Sequence, residues 1–439
     1  MNNIKTDKQN YKKAPLSKVH LRVLIAIILG QIACGFSLGI SGTALTNASK
    51  YIPINALWTG LIGAGALLGL SSSMLIGRLS DKIGRSRMLM INMYLLAVLT
   101  LLHLLTANFF LTFLIRIGIG LMMAVDYTVG NSLLTEWLPK GEDSKQQSHL
   151  LIFWSIGFIA AYLTGSSLTG FGAFTWRIIL ATGSIPALIA AVFRSCFPLP
   201  PSPSWLASKG KVKQANFLIG FLLGRKWGIP HFKHQHKVSQ NISWTILFSK
   251  KYLRRTLVGG CFYALQAFSF FGISIFLPIL LQGMGVTNEA VSGIIYNLGM
   301  IIGVFLGTLI FDKISRRAFL ISNFSISGLL IGFLAFMTKA PNAAKLVIFS
   351  LFAIILSAGL VLDYPYPTEL FDVSIRGTGV GTCITISRIG AAAGTFLLPI
   401  LTNIGGVKLA MLVCAVVLLA DSLLCLFWAP ETSPQFIKK

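Results

Sequence analysis

The chain has 439 residues, of which 54% are hydrophobic and only 11% charged. Soluble domains carry about a quarter charged residues, so an ordinary soluble enzyme is excluded. The 37 Lys and Arg against 13 Asp and Glu give a net charge of +24. In a soluble protein that excess would suggest a nucleic-acid partner, but in a membrane protein it follows from lysines and arginines gathering in cytoplasmic loops.

Taken in chain order, twelve stretches approach the ~20 apolar residues that cross a bilayer: 23–46, 57–77, 88–106, 109–133, 148–170, 177–197, 255–281, 290–311, 318–337, 344–365, 378–402 and 407–428. No cleavable signal is expected, because residues 1–22 are too polar and the first apolar run too long. With the N-terminus inside, thirty of the basic residues fall in loops on that side. Five fall on the other (Lys50, Arg177, Lys339, Lys345, Lys408), and Arg116 and Arg388 lie within spans. Both termini are therefore expected in the cytoplasm. The expected organisation is an N-terminal bundle 1–197, a basic linker 198–254 with short helices around Trp205 to Leu223, and a C-terminal bundle 255–439. The six cysteines sit in apolar runs without CxxC spacing and read as small buried hydrophobes. His231, His234 and His236 lack accompanying cysteines, so neither metal nor cofactor is expected.

An internal repeat divides the chain. Asp81-Lys82-Ile83-Gly84-Arg85 returns as Asp312-Lys313-Ile314-Ser315-Arg316, and Thr135-Glu136 returns as Thr368-Glu369, at offsets of 231 and 233. Two pairs at nearly one offset imply two parallel six-helix halves, an arrangement that places a substrate site at their interface.

These loop motifs carry a family resemblance. Gly77-Arg78-Leu79-Ser80-Asp81-Lys82-Ile83-Gly84-Arg85 resembles the signature between the second and third spans of major facilitator superfamily transporters. Arg116, Glu136 and Pro139 keep the spacing of the sugar-porter and organic-ion branches. Pro200 to Leu206, Pro367 to Phe371 with Arg376 to Gly379, and Pro430-Glu431-Thr432 resemble later motifs of those branches. The resemblance implies an all-α membrane protein with twelve transmembrane helices in the major facilitator fold. It also implies alternating-access transport of a small molecule, without catalysis, by a monomer in a bacterial inner membrane. Asp126-Tyr127 is similar to the Asp-Tyr of metabolite:proton symporters, and Ser387-Arg388-Ile389-Gly390 to a motif of organic-anion carriers. Span seven has Gln266 without the paired glutamine of sugar porters, and span five lacks the Gly-Pro of drug antiporters.

Charges inside lipid are costly and mark function by default. Arg116, Asp126, Arg388, Asp421 and Asp363 are such residues. Asp126 is expected to carry the coupling proton, the alternative being a structural partner for a Tyr, Arg or backbone group. Arg388 is expected to hold an anionic substrate through its planar fork, the alternative being an ion pair with Asp421 or Asp363. Arg116 is a further substrate candidate. Its family role of joining spans one and four lacks an acid in the first span. Gln31, Tyr127, Asn131, Trp154, Tyr263, Gln266, Tyr296 and Asn297 are the neutral candidates, whereas His103 reads as an interior histidine. Asp81, Arg85, Glu136, Asp312, Arg316, Glu369, Arg376 and Glu431 are expected to form a cytoplasmic gate. Asp143 stands where the repeat would place an arginine, so the N-terminal half of this network is expected to be weaker or to use Lys140 or Lys145. The resulting expectation is proton-coupled import of a small, anionic metabolite. Proton-driven efflux, a sugar porter and a non-transporting sensor are the alternatives.

Overall fold

A computed structural model describes residues 8–139, 143–168, 170–229, 244–286, 289–311, 313–337, 340–363, 365–372, 375–433 and 436. Among them are eleven helices long and apolar enough to span a bilayer. The first ten are Lys18–Tyr51, Ala56–Ile83, Arg85–Leu105, Phe109–Trp137, His149–Ser167, Gly172–Cys196, Leu253–Ile275, Val291–Ile310, Arg316–Phe336 and Asn342–Leu370. The eleventh, Thr378–Trp428, is two helices merged across a kink at Gly405 and Gly406. Gly406 has φ 68°, a left-handed conformation that side chains oppose and glycine accepts. Spans 11 (378–404) and 12 (407–428) therefore reverse direction there, and the chain crosses twelve times. An even number of crossings puts both ends of the chain on one face, called here the basic side because most Lys and Arg collect there.

The packing repeats with the sequence. Spans 1 and 5, 2 and 4, and 3 and 6 pair in the first half; spans 7 and 11, 8 and 10, and 9 and 12 repeat those pairings in the second. Between halves, span 1 meets span 7, span 2 meets span 11, and span 5 meets span 8. Moving six spans along turns the second contact into the third and returns the first to itself, so the halves are related by a pseudo-two-fold axis.

Glycines bring these contacts to backbone distance. A methyl group at Gly42 would collide with the Ile275 carbonyl, one at Gly60 with the Phe396 carbonyl, and one at Gly293 with the Tyr162 ring. Gly60 and Gly293 are 233 residues apart, the offset of the loop repeat. All three contacts lie near the ends of spans away from the basic side, so the halves are sealed on that face. Small residues allow such close approach where no water drives helices together.

On the basic side the linker and the N-terminus form a separate layer. Strand Gln9–Asn10 pairs in parallel with Trp227–Gly228. Helices Pro203–Ser208 and Val212–Leu223 pack on it, burying Tyr11, Leu206, Ala215, Ile219 and Trp227 in a small core. Ser202 caps the first of these helices, accepting from Trp205 N–H at 3.0 Å, and Trp205 Nε1 donates to the Asp81 carbonyl at 2.9 Å. The Trp205 ring covers Gly84, whose φ of 103° forms the turn between spans 2 and 3. The layer is thereby pinned to the first half.

Because the glycine seal exists only while the opposite face is closed, Gly42→Ala and Gly60→Ala should each favour opening there. Labelling of an Asn131→Cys thiol from the basic side should fall several-fold in both variants. Unchanged labelling would show that the seal does not set the balance.

Candidate functional site

A cavity lies between the halves. Gln31 of span 1, Tyr127 and Asn131 of span 4, and Leu150, Leu151 and Trp154 at span 5 supply one wall. Tyr263, Phe270 and Phe271 of span 7, Leu360 and Asp363 of span 10, and Arg388 of span 11 supply the other. A π-helical turn, Asp126–Gly130, interrupts span 4 beside it. Such a bulge changes which side chains face a given direction and recurs at functional sites. Here Tyr127 and Asn131 face the cavity while Asp126 faces the interior of its own half.

The C-terminal wall concentrates charge. The Arg388 guanidinium lies 5.4 Å from the Tyr127 ring centre, 5.8 Å from Tyr263 and 5.7 Å from Phe271, an aromatic cage that favours a cation where water is scarce. Arg388 Nη2 donates to the Tyr263 hydroxyl at 3.4 Å. That hydroxyl also hydrogen-bonds Asp363, on which the Arg388 charge acts. Behind Asp363, the Gln266 amide, oriented to satisfy both partners, donates to its Oδ1 at 2.9 Å and accepts from Leu360 N–H at 3.2 Å. The site thus joins a fixed cation, a carboxylate and a bridging phenol within apolar, aromatic walls.

Of the residues singled out from sequence, Gln31, Tyr127, Asn131, Trp154, Tyr263 and Arg388 converge on this cavity. Four substrate candidates require correction. Gln266 is fully buried and positions Asp363. Asn297 turns back to the Gly293 carbonyl of its own helix at 2.8 Å. Tyr296 hydrogen-bonds Ser274 at 3.1 Å and packs on Phe349. Arg116 lies within the first half, donating to the Ser37 carbonyl at 2.8 Å and Ser41 Oγ at 2.6 Å, so it joins spans 1 and 4 through serine and backbone oxygens in place of an acid. Asp421 is buried away from the cavity, beside Cys425.

Asp126 is the larger correction. The spacing placed it within reach of a water-filled cavity, but it is wholly buried in an ion pair with Arg194 of span 6. Arg194 Nη2 donates to Oδ1 at 2.7 Å and Nη1 to Oδ2 at 3.0 Å. The same guanidinium reaches the Ala26 and Leu89 carbonyls, each at 2.9 Å, and Asn92 Oδ1 at 3.0 Å, binding spans 1, 3, 4 and 6 together. A bidentate, fully hydrogen-bonded pair of this kind keeps its carboxylate committed to structure. Arg194 was counted among loop cations because it stands at the last apolar residues of span 6; its partner was visible only as the lone acid of span 4.

The gate residues form two networks, one in each half. Arg85 pairs with Glu136 and, at 3.4 Å, with Asp81. Tyr11 donates to the Glu136 carbonyl at 3.0 Å, and Lys12 donates to the Leu138 carbonyl at 3.0 Å. In the second half Arg316 pairs with Glu369 at 3.6 Å, and Thr432 Oγ1 donates to Glu369 at 2.5 Å. Glu431 accepts from Ser315 Oγ and from the backbone N–H groups of Arg316 at 3.1 Å and Ser433 at 2.8 Å. Partial burial raises the pKa of Glu431, but the Ser315 hydroxyl and the backbone donors of Ser433, Arg317 and Arg316 outweigh it and hold the carboxyl below its ordinary range. Each described ion pair stays within its half. Asp312, Lys140, His231, His234, His236 and the side chains of Arg376, Asp143 and Lys145 lie outside the described residues.

The family described as Major Facilitator Superfamily matches residues 25–365. The inner membrane metabolite transport protein YgcS of Escherichia coli K12 is 30% identical over 95% of this chain and 93% of its own. The putative metabolite transport protein YaaU of the same organism is 28% identical over 97% and 95%. Among solved structures, the partially occluded inward open xylose transporter XylE from E. coli superposes with a TM-score of 0.76 at 17% identity, covering 95% of this chain and 99% of that one.

Asp126→Asn should leave Arg194 as an unmatched buried cation and destabilise the protein by about 3–5 kcal/mol. A double variant, Asp126→Leu with Arg194→Met, should recover most of that loss in thermal unfolding; no recovery would disprove a mainly structural pair. Glu431, with its lowered pKa, contributes stability above the ordinary Glu range that is lost as pH falls through the lowered value. Glu431→Gln should therefore unfold at lower temperature than the parent near neutral pH, and the gap should close on acidification.

Proposed function

Because the chain belongs to the Major Facilitator Superfamily and is a membrane transporter, we propose that it is a secondary carrier that imports a small organic anion together with protons. Arg388 holds the anion and Asp363 carries the proton. The basic side is the cytoplasmic face, and the membrane is the inner membrane of a bacterium, as the name of YgcS states for that relative. One chain suffices, since both walls of the cavity come from it.

The observation that carries this reading is the placement of Arg388 and Asp363 in one cavity wall, linked through the Tyr263 hydroxyl. With the cavity empty, the carboxylate offsets the guanidinium. An incoming anion competes for the same cation, and two anions cannot share it in an apolar wall unless one is neutralised. Asp363 then takes up a proton, and anion and proton cross together while the site stays near neutral. Trp154, Phe270, Phe271, Tyr127 and Tyr263 offer rings to a flat, apolar substrate body.

The test is uptake of labelled organic acids into proteoliposomes. An outside-acid gradient should drive accumulation, and Asp363→Asn should abolish it while exchange continues. Arg388→Ala should weaken anion binding about 10- to 100-fold and leave neutral compounds unaffected. Full gradient-driven accumulation by Asp363→Asn would overturn the assignment. Dependence on the reversed gradient would make the protein an exporter, and binding without flux a sensor.

A further inference from the structure

The second linker helix, Val212–Leu223, has one covered face and one bare face. Ala215 and Ile219 are buried in the small core on the basic side, while Leu218 and Leu222 pack against the cluster formed by the basic ends of the spans. At 100° per residue, Lys213, Gln214, Phe217 and Phe221 share the other face, and all four are exposed. The two rings stack with centroids 6.5 Å apart and are 76% and 78% exposed. Two large aromatic surfaces bare to water beside the spans need a cover.

Charge says what the cover is. No Asp or Glu occurs between residues 144 and 288, whereas Lys209, Lys211, Lys213, Arg225 and Lys226 surround this helix. A cleft beside it is lined by Lys82, Arg85, Arg87, Lys209 and Lys211 and by no carboxylate. Gln214 lines the same cleft, so the cationic groups and the exposed rings open on one side of the helix. Leu16, Leu21 and Phe197, at the basic ends of spans 1 and 6, are also exposed. Aromatic rings flanked by lysines, beside the basic ends of the spans, are the makings of an interfacial helix that reads negative headgroups.

We propose that the bare face of Val212–Leu223 docks on anionic phospholipid of the leaflet at the basic side, with Phe217 and Phe221 entering between the lipids and Lys209, Lys211 and Lys213 taking the headgroup phosphates. The surface is separate from the substrate cavity, and the vesicle test below needs no knowledge of substrate or coupling ion.

The test places an environment-sensitive fluorophore at Phe221→Cys in the full chain, on a Cys196→Ser background, and reconstitutes it into phosphatidylcholine vesicles with or without phosphatidylglycerol. Brominated acyl chains should quench the label at least about twofold more when phosphatidylglycerol is present. Lys209→Glu/Lys211→Glu/Lys213→Glu should remove that difference. Equal quenching in both lipids, or equal access of aqueous iodide to the label in both, would overturn the proposal. So would loss of the quenching on adding inorganic phosphate or a soluble acidic peptide, which would move the site to a soluble ligand or a protein partner. The lipid comparison uses a single labelled chain and stands even where the charge-reversed variant fails to fold.

Discussion

Hydrocarbon offers no hydrogen bonds, so every polar atom within it must find its partner inside the protein or in a cavity. This constraint sorts the ionisable residues of the chain into two kinds. Arg194 with Asp126, and Arg116 with its serine and carbonyl acceptors, are enclosed within one half and fix its spans. Arg388 and Asp363 line the space between the halves. The same residue types thus brace the inside of one half in one place and line the space between the halves in the other.

Much of this was legible in the sequence. The twelve apolar runs agree with the helices to within a few residues at most ends, because length and hydropathy are all that a bilayer demands of a span. The loop repeat announced the two halves, and Arg388, Tyr263, Tyr127 and Trp154 were found as polar or aromatic residues in apolar runs. Facing was not legible. Asp126 and Tyr127 are neighbours about 100° apart around the helix, and spacing along span 4 does not say which of the two points into the cavity. Arg194 was hidden for another reason: a cation at the last turn of a span looks like a loop residue until its partner on span 4 is seen against it.

The two ionic networks on the basic side also differ from a bridge across the gate. Arg85 with Glu136, and Arg316 with Glu369, brace the ends of spans inside each half. The glycine contacts seal the opposite face, and on the basic side the braces tie span ends together within each half. Neither pair crosses between the halves, which suits elements that hold shape without holding the halves closed.

Gly60 and Gly293 occupy equivalent places in the two halves, and each is pressed by a span of the other half. Reciprocal contact of this sort is the geometry of a symmetric homodimer, in which every patch meets its counterpart on the neighbour. The fused chain therefore still carries an isologous subunit interface, and separation on that face breaks two matched contacts in concert instead of peeling one hinge.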